Sequence, residues 1–429
     1  MNTLGGYFVK ILELKEHLIR NVSTREDEII ELLTELVKIP SENPPGDMSD
    51  IAGFIDDFIK DNGLSCKKFE PQRGKISLIC ELGKSNSQKN LVLNGHMDVV
   101  PAGDLRKWKI PPYAGVIKDG YLFGRGASDM KGGLAGIIFA TILLSEIEDL
   151  LNGTLTLMLV PDEETGGKFG TSWLLENEIV KPTAAIVAEP STLELLDIGQ
   201  KGRIWIKLIV KGEATHASFS TFLGDNAIVK ACKVINSFYQ LPKKIRAKAP
   251  LELEDVIRLS KRIARRDIGH PEADKIIESL SVNIGTISGG IKPNVVPDAC
   301  ILEFDIRTPI GVSKDQILQE IMSMLSEYND DIEVLKVNGY EPNYTTPREK
   351  IVQIVISNIK KYIGTFLGLY VDWASSDAKH FRKMNIPTVQ YGPCHSSGIH
   401  GYNERVKLKD VVLATKVYLA SSFDFLTTQ

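Results

Sequence analysis

The sequence has few of the features that mark several classes of protein. Its five cysteines are widely scattered and none forms a Cys-x-x-Cys pair, which indicates neither a structural zinc knot nor a disulfide framework. No run of about 18 apolar residues occurs, so no membrane-spanning helix is predicted. The net charge of −4 gives no basic excess and no support for a nucleic-acid or anionic-membrane partner. So few cysteines favour a reducing, cytoplasmic compartment.

The rest of the composition is ordinary for a soluble globular protein. The chain has 429 residues, enough for two or three domains, with 43% hydrophobic and 25% charged residues. Charged residues recur from Lys10 onward and interrupt any secretory signal, so we expect a soluble, unprocessed chain. The sequence contains no internal repeat or low-complexity segment.

Short apolar runs alternate with helical patterns in the first part of the chain. Strands are predicted at residues 76–82, 91–93, 154–160 and 184–188, with helices at 132–145 and 171–177. This alternation predicts an α/β fold with a mostly parallel sheet and flanking helices on both faces.

The pattern changes after Pro190. Strands are predicted at residues 203–210, 282–287, 299–307 and 331–337, with helices at 226–239 and 314–328. This βαββαβ order predicts a smaller α+β domain with helices on one face. Residues 243–275 carry charges of both signs, which favours an inserted helical excursion on the surface over a nucleic-acid patch.

The alternation of helices and strands resumes after about residue 345, so the first domain is predicted to be interrupted by the second. The expected boundaries are 1–197 and 344–429 for the two parts of the larger domain, and 198–343 for the smaller one.

Five potential metal ligands each follow a short apolar run: His96, Asp129, Glu164, Glu189 and His400. Divalent ions need carboxylates and imidazoles on a rigid frame, which strand ends in an α/β sheet supply. Oxygen and nitrogen donors fit zinc, cobalt or manganese, and the Irving–Williams order together with availability favours zinc. The arrangement predicts hydrolysis at a pair of metal ions.

Each of these motifs alone also has an ordinary structural explanation. His96 could be a satisfied core histidine, with Asp98 either fixing its tautomer or facing water. Asp129 could cap a helix after a glycine-rich turn. The three acids ending at Glu164 would repel one another unless cations relieve them, although a solvated loop tolerates them. An acid after a strand, as at Glu189, is often only part of a turn.

Together these segments resemble the M20 metallopeptidase family, from about residue 31 to residue 416. That family includes acetylornithine deacetylase, succinyl-diaminopimelate desuccinylase, aminoacylase and glutamate carboxypeptidase. The motifs, in the family's order, are His-Met-Asp-Val-Val-Pro (96–101), Gly-Arg-Gly-Ala-Ser-Asp-Met-Lys-Gly-Gly (124–133), Asp-Glu-Glu-Thr-Gly (162–166), Ala-Glu-Pro (188–190) and His-Gly-Tyr-Asn-Glu (400–404). One match would be weak, whereas five in order argue against chance.

The resemblance implies two metal sites that share Asp129. His96 and Glu189 would complete one site, and Glu164 and His400 would complete the other. The α/β domain would then be a di-metal catalytic domain, and the smaller domain a lid and dimerisation domain.

The resemblance also implies the catalytic groups. Glu163 would be the general base that activates the shared water and passes the proton to the leaving amine. His216 resembles a lid histidine that reaches the active site of the partner subunit and stabilises the oxyanion, although alone it would be a surface histidine. Asp98 would support the first ligand, and Asn403 or Glu404 the last.

Four further residues match substrate-binding segments of the family: Asn294, Arg307, Ser375 and Ser376. The guanidinium of Arg307 suits a carboxylate because it can donate two parallel hydrogen bonds. The substrate would therefore be small and carry a free carboxylate.

The sequence thus predicts a zinc-dependent, cytoplasmic, homodimeric hydrolase that cleaves the amide bond of an N-acyl amino acid, of the deacetylase or desuccinylase type. The alternative is a dipeptidase or carboxypeptidase that acts on short peptides. An N-carbamoyl hydrolase is less favoured, because the Gly-Arg-Gly-x-Ser-Asp form resembles deacylases. A catalytically inactive binding protein would have lost a ligand or the base, and this chain has all of them.

Overall fold

The computed structural model describes residues 2–84, 88–328, 331–395 and 398–427, with side chains described from residue 11 onward. The helices are α1 (Asn2–Thr24), α2 (Glu26–Lys38), α3 (Ser49–Asp61), α4 (Gly132–Ser145), α5 (Thr171–Glu176), α6 (Ala227–Phe238), α7 (Leu241–Lys244), α8 (Glu254–Ile268), α9 (Lys275–Glu278), α10 (Lys314–Ser326), α11 (Lys350–Tyr362), α12 (Ala378–Lys383) and α13 (Leu408–Thr427). The strands are β1 (Cys66–Gln72), β2 (Lys75–Gly83), β3 (Asn90–His96), β4 (Val116–Lys118), β5 (Tyr121–Phe123), β6 (Thr154–Val160), β7 (Ala184–Val187), β8 (Leu195–Gln200), β9 (Gly202–Lys211), β10 (Ser281–Gly289), β11 (Ala299–Thr308), β12 (Ile332–Tyr340), β13 (Asn343–Tyr344), β14 (Gly368–Asp372), β15 (Thr388–Gln390) and β16 (Arg405–Lys407).

The chain divides into two compact units. The first unit comprises Met1–Ile198, Thr345–Tyr370 and Ser376–Gln429, and the second comprises Gly199–Tyr344 and Val371–Ser375. The division falls one residue after each expected boundary, and it adds a five-residue segment to the second unit. The roles of the units as catalytic and lid domains stay predictions.

The first unit is built on a large mixed sheet. Its strands follow the order β1-β2-β6-β3-β7-β15-β8. The central strand β3 pairs in parallel with β6 and β7, and β7 pairs in parallel with β15. The pairs β1–β2, β2–β6 and β15–β8 are antiparallel. The predicted α/β class is confirmed, with the parallel pairing confined to the centre of the sheet.

Helices cover both faces of this sheet. On one face, α5 and α12 contribute Leu174 and Phe381 to a core that includes Val92 and Met158. On the other face, α4 packs against β3 and β6 and is covered in turn by α2 and α13. Because β3 is buried on both faces, its first half contains an uninterrupted apolar run at residues 91–93, as is typical of parallel strands.

The helical segment Ala127–Ser145 is long and apolar enough to cross a membrane by length and composition alone, with a mean hydropathy of 1.4. However, 94% of its 18-residue window is buried inside the protein. A helix that is covered on all sides by the protein has no polar face, so it meets the same criteria of length and composition as a membrane-spanning helix.

The second unit is an antiparallel sheet covered by helices on one face. Its strand order is β10-β11-β9-β12, and α6 and α10 supply the helical layer. Alternate residues of β9, such as Ile204 and Ile206, point into the core, whereas Trp205 is 46% exposed. The predicted βαββαβ order is confirmed. The 243–275 excursion is helical as predicted, although α8 buries one face that includes Val256 and Ile263.

A disulfide joins Cys66 on β1 to Cys80 on β2, which corrects the expectation that the cysteines indicate no disulfide. The two residues are direct cross-strand partners in the antiparallel pair, with their Cα atoms 4.2 Å apart. A separation of 14 residues has no recognisable pattern in the sequence, so only strand pairing brings them together. The cysteine argument for a reducing compartment is correspondingly weakened.

Candidate metal centre

The predicted ligands lie at one edge of the central sheet, where adjacent parallel strands end. His96 is the last residue of β3. Glu163 and Glu164 follow the end of β6, and Glu189 follows the end of β7. Because β3 lies between β6 and β7 and runs parallel to both, these three chain segments emerge side by side.

Asp129 reaches the same edge through the glycine-rich turn that leads into α4. Gly126 has a φ of 81°, and a Cβ there would lie 2.4 Å from Cγ1 of Val99. A Cβ on Gly133 would lie 2.0 Å from the carbonyl oxygen of Ala188. The glycines are therefore required because the turn packs directly against the strand ends.

The five predicted ligands form two groups that share Asp129. Nε2 of His96 lies 3.2 Å from Oδ1 of Asp129 and 3.6 Å from Oε1 of Glu189. Nε2 of His400 lies 3.2 Å from Oδ2 of Asp129 and 3.2 Å from Oε1 of Glu164. Within each group the candidate ligand atoms all lie within 4.8 Å of one another. One carboxylate thus faces both groups, one oxygen toward each imidazole.

The pKa values of these groups are shifted because the groups are buried close to one another. Burial raises the pKa of the Glu164 and Glu189 carboxyls. Hydrogen bonds with Asp129 and Glu164 raise the pKa of His400 to about 11. Burial opposes the charging of His96, yet the negative charges of Glu189 and Asp129 raise its pKa well above the ordinary value. The ionised carboxylates are therefore stable only beside positive charge, and divalent cations bound at this edge of the sheet would supply it.

The donor set fits a pair of divalent cations. It offers two imidazole nitrogens and three carboxylates converging from separate chain segments, with one carboxylate common to both groups. Crowded, largely buried carboxylates of this kind are destabilising unless cations neutralise them. The set contains no sulfur ligand, which matches metals that accept nitrogen and oxygen.

A buried glutamate holds the Asp129 turn in place. Oε1 of Glu404 accepts hydrogen bonds from the backbone N–H groups of Ser128 (3.0 Å) and Asp129 (3.1 Å). Its Oε2 accepts from Nη1 of Arg125 at 2.6 Å. Asn403 or Glu404 is predicted to support His400. The Glu404 carboxylate instead holds the turn that carries Asp129, and Oδ1 of Asn403 accepts a hydrogen bond from the backbone N–H of Lys109 at 2.6 Å. Removing one partner of a buried ion pair costs about 3–5 kcal/mol, because the other charge is then left buried and unpaired.

Asp98 organises the loop that carries the predicted base. Its carboxylate oxygens accept hydrogen bonds from the backbone N–H groups of Glu163 (3.1 Å) and Glu164 (3.2 Å). Nδ1 of His96 lies 2.8 Å from the main-chain carbonyl oxygen of Asp98 and 3.4 Å from its carboxylate. The imidazole therefore donates to the carbonyl, which leaves Nε2 as the nitrogen that faces Asp129.

Glu163 lies in a largely buried environment beside a cation. Burial raises the pKa of its carboxyl to about 8, while the ammonium of Lys379 opposes the rise. Nζ of Lys379 lies 3.7 Å from Oε1 of Glu163 and donates to the carbonyl oxygen of Ser376 at 3.1 Å. Both side chains are mostly shielded from water, at 11% exposed for Glu163 and 6% for Lys379. A carboxylate in this setting can exchange a proton near neutral pH.

The predicted lid residues lie in the second unit. His216 is exposed, and its Nδ1 accepts a hydrogen bond from the backbone N–H of Ser218 at 3.2 Å. That bond leaves Nε2–H as the donor. Asn294 is exposed as well. The guanidinium of Arg307 is engaged bidentately by Asp305, at 2.8 and 2.9 Å.

The two predicted substrate-binding serines fall in different units. Ser375 belongs to the second unit and is half-buried. Ser376 belongs to the first unit and is 5% exposed. Its hydroxyl accepts from the backbone N–H of Ala378, where α12 begins. This bond, from the N–H two residues further along the chain, is an ST-turn that leads into the helix.

Sequence reasoning missed two residues at this centre, although a signal existed for each. Arg125 lies inside the glycine-rich motif itself. Lys379 follows the Ser-Ser-Asp-Ala segment (375–378) by one position. Both are buried cations paired with site carboxylates, and burial can be seen only in the folded chain.

Comparison with known proteins agrees with this geometry. The sequence profile described as Peptidase family M20/M25/M40 matches residues 92–422. Succinyl-diaminopimelate desuccinylase of Helicobacter pylori (strain G27) is 30% identical over 334 residues, which cover 76% of each chain. A probable succinyl-diaminopimelate desuccinylase of Staphylococcus epidermidis is 25% identical over 393 residues, covering 91% of this chain and 95% of the relative.

Solved structures share the fold. An M20 family metallo-carboxypeptidase from Sulfolobus solfataricus superposes with a TM-score of 0.77 at 20% identity, covering 93% of this chain and 99% of that one. A Bacillus subtilis protein described as a dinuclear metal-binding peptidase of the same family superposes with a TM-score of 0.68 at 13% identity, covering 95% and 100%. The shared fold, the two ligand groups around Asp129 and the match over most of the sequence lead to one conclusion: the chain belongs to the M20 family of metal-dependent hydrolases.

Proposed function

We propose that this protein hydrolyses the amide bond of an N-acyl amino acid at a pair of zinc ions. The observation that carries the proposal is the convergence of two ligand groups on Asp129, beside the buried carboxylate of Glu163. Divalent ions held by these two groups would polarise the amide carbonyl and lower the pKa of the attacking water. Zinc is the metal that best fits this donor set by affinity and availability.

In this proposal the side chains of the chain itself move the proton and hold the reacting groups in place. Glu163 takes a proton from the attacking water onto its carboxylate and later delivers it to the amine that leaves. The Lys379 ammonium stabilises the charged form of Glu163 before the proton arrives. Asp98 holds the backbone N–H groups of the base and of the adjacent ligand, which fixes the loop from which both carboxylates extend.

The relatives favour a dicarboxylic acyl group. Proteins that match more than three quarters of this chain are named succinyl-diaminopimelate desuccinylases. We therefore expect N-succinyl amino acids to be hydrolysed with a higher kcat/KM than N-acetyl amino acids. A panel of N-succinyl- and N-acetyl-amino acids beside dipeptides, assayed for released amine with zinc present, measures this directly.

The same panel decides between the proposal and its alternative. A peptidase would give its highest kcat/KM on dipeptides or tripeptides, and that result would replace the deacylase assignment. A zinc-loaded protein that hydrolyses none of these amides would contradict the proposed function itself.

We further propose that a second copy of the chain completes each active site through His216. The loops near this residue expose large apolar side chains: Phe219 is 53%, Phe222 87% and Leu223 61% exposed, and Ile291 is 89% exposed. Exposed apolar clusters of this kind are typical of protein interfaces. The Nε2–H of His216 is oriented as a free donor by the bond to Nδ1, which suits an oxyanion.

Complementation between two inactive variants tests this arrangement. Glu163→Ala lacks the base and His216→Ala lacks the donor, so each homodimer is expected to be inactive. If the base in one subunit works with His216 of the partner subunit, mixed dimers contain one intact site. Mixing then restores up to about a quarter of wild-type activity, because half of the dimers are mixed and each has one working site.

Sedimentation measurements on the same samples supply the control for that experiment. A monomeric wild-type protein, or mixed dimers without recovered activity, would contradict the role of the second copy. Unchanged turnover in His216→Ala alone would contradict the oxyanion role.

A further inference from the structure

A buried asparagine lies directly behind the loop of the proposed base. Nδ2 of Asn43 donates to Oδ2 of Asp98 at 2.8 Å and to Oγ1 of Thr165 at 3.1 Å. Its Oδ1 accepts from Nζ of Lys75 at 3.2 Å. Asn43, Lys75 and Asp98 are 4%, 7% and 0% exposed, so these bonds form away from water.

The packing around this amide is close. A Cβ at Gly46 would lie 1.8 Å from Nζ of Lys75 and 2.4 Å from Oδ1 of Asn43. The backbone N–H of Asn43 also donates to the carbonyl oxygen of Val99 at 2.8 Å, which ties its loop to the chain just beyond β3. The side chain therefore has a single defined position.

The chemistry of the neighbours determines which way the amide faces. An ammonium can only donate, so the amide oxygen must face Lys75. An ionised carboxylate can only accept, so the amide nitrogen must face Asp98. Asn43 thus joins a cation to an anion without adding charge of its own, and a carboxylate at this position would face Asp98 with like charge.

Asp98 in turn holds the backbone N–H groups of Glu163 and Glu164. We propose that Asn43 is a positioning residue, which fixes the carboxylate of Asp98 and through it the separation between the base Glu163 and the ligand Glu164. This inference rests on the proposed function, since it concerns the placement of that base and that metal ligand. Loss of an outer-shell partner typically costs about 10–100-fold in metal affinity or activity.

The chain contains a matched arrangement away from the metal ligands. Asn358 accepts from Nζ of Lys15 at 3.0 Å and donates to Oδ2 of Asp424 at 2.9 Å. It is 1% exposed and joins α1, α11 and α13. Substitutions of Asn358 therefore reproduce the local polarity change in a part of the first unit that holds no proposed catalytic group.

Four variants test the proposal: Asn43→Asp, Asn43→Ala, Asn358→Asp and Asn358→Ala. Each is assayed for kcat and KM on the best substrate of the panel, for zinc affinity and for Tm. We expect Asn43→Asp to lower kcat or zinc affinity by about 10–100-fold, and to do so more than Asn43→Ala, because it adds a charge beside Asp98. KM stays close to that of the wild type, and the Asn358 variants lower Tm only.

A space-filling role predicts the opposite order, because aspartate has nearly the shape of asparagine whereas alanine leaves a cavity. The inference is overturned if Asn43→Asp retains wild-type kcat and zinc affinity. It is also overturned if Asn43→Ala lowers both kcat and zinc affinity more than Asn43→Asp does. If Asn43→Asp does not fold, Asn43→Ala is compared with Asn358→Ala, and equal kcat and zinc affinity overturn it. A wild-type protein inert on every substrate contradicts the proposed function instead, and zinc affinity alone then decides the role of Asn43.

Discussion

Replacing Glu163 by glutamine is expected to abolish amide hydrolysis while both metal ions stay bound. The amide keeps the size of the side chain but cannot accept a proton from water. General acid–base groups contribute about 10²–10⁴-fold to rate, so kcat should fall by at least about that range. Because Glu163 belongs to neither ligand group, zinc content measured by elemental analysis should stay at the wild-type value.

The matched control is Glu178→Gln, which makes the same change at an exposed glutamate that pairs with Lys181 at 2.7 Å. A surface ion pair of this kind contributes about 0–1 kcal/mol, so activity and Tm should be nearly those of the wild type. Full activity in Glu163→Gln would contradict the assigned mechanism. Loss of zinc from that variant would instead assign Glu163 to the metal ligands.

Replacing Asp129 by asparagine is expected to weaken both metal sites at once. Oδ1 of this carboxylate faces His96 and Oδ2 faces His400, so neutralising it removes negative charge from both ligand groups. The loss in zinc affinity should exceed the roughly 10–100-fold that follows loss of an outer-shell partner. Zinc titration of the chelator-treated variant measures both sites, and hydrolysis should fall with them.

Two further variants distinguish a ligand that is shared by both metal sites from ligands that belong to one site. Glu164→Gln and Glu189→Gln each alter one of the two groups, so each should retain one zinc ion with near wild-type affinity. Chelator-treated wild-type protein should lose activity and regain it when zinc is added. If Asp129→Asn keeps two zinc ions, the shared-ligand arrangement is wrong.

Particular elements show how far the fold follows from local sequence. The strand predicted at 154–160 and the helix predicted at 132–145 coincide with β6 and α4. Both are predominantly apolar, so length and the flanking glycines are what distinguish strand from helix. The direction of β2 beside β6 could not be predicted in the same way. That pairing is antiparallel, while its neighbour β3 is parallel to β6, and no local pattern encodes this choice.

The metal centre shows the same division. The order and identity of the five predicted ligands are present in the sequence, and the family resemblance divides them into the same two groups that the structure brings together. The residues that hold these segments in place by hydrogen bonds are harder to predict from the sequence. Asn43 lies in an Asn-Pro-Pro-Gly segment typical of a loop, and only the fold brings its amide to Asp98. The sequence predicts Asn403 or Glu404 as the support of His400, whereas folding directs the Glu404 carboxylate to the Asp129 turn.

The sequence by itself thus determined the family, and with it the class of metal-dependent hydrolase, since the motifs that carry the predicted ligands and base stand in a recognisable order. It also indicated the central strands of both sheets and several of the helices, such as β6 and α4, because apolar periodicity is local. Only the tertiary structure decided the strand order, the Cys66–Cys80 disulfide and the hydrogen bonds that orient Asp98 and Asp129. These depend on contacts between residues far apart in the chain, where burial removes competing water and makes each polar group select a specific partner.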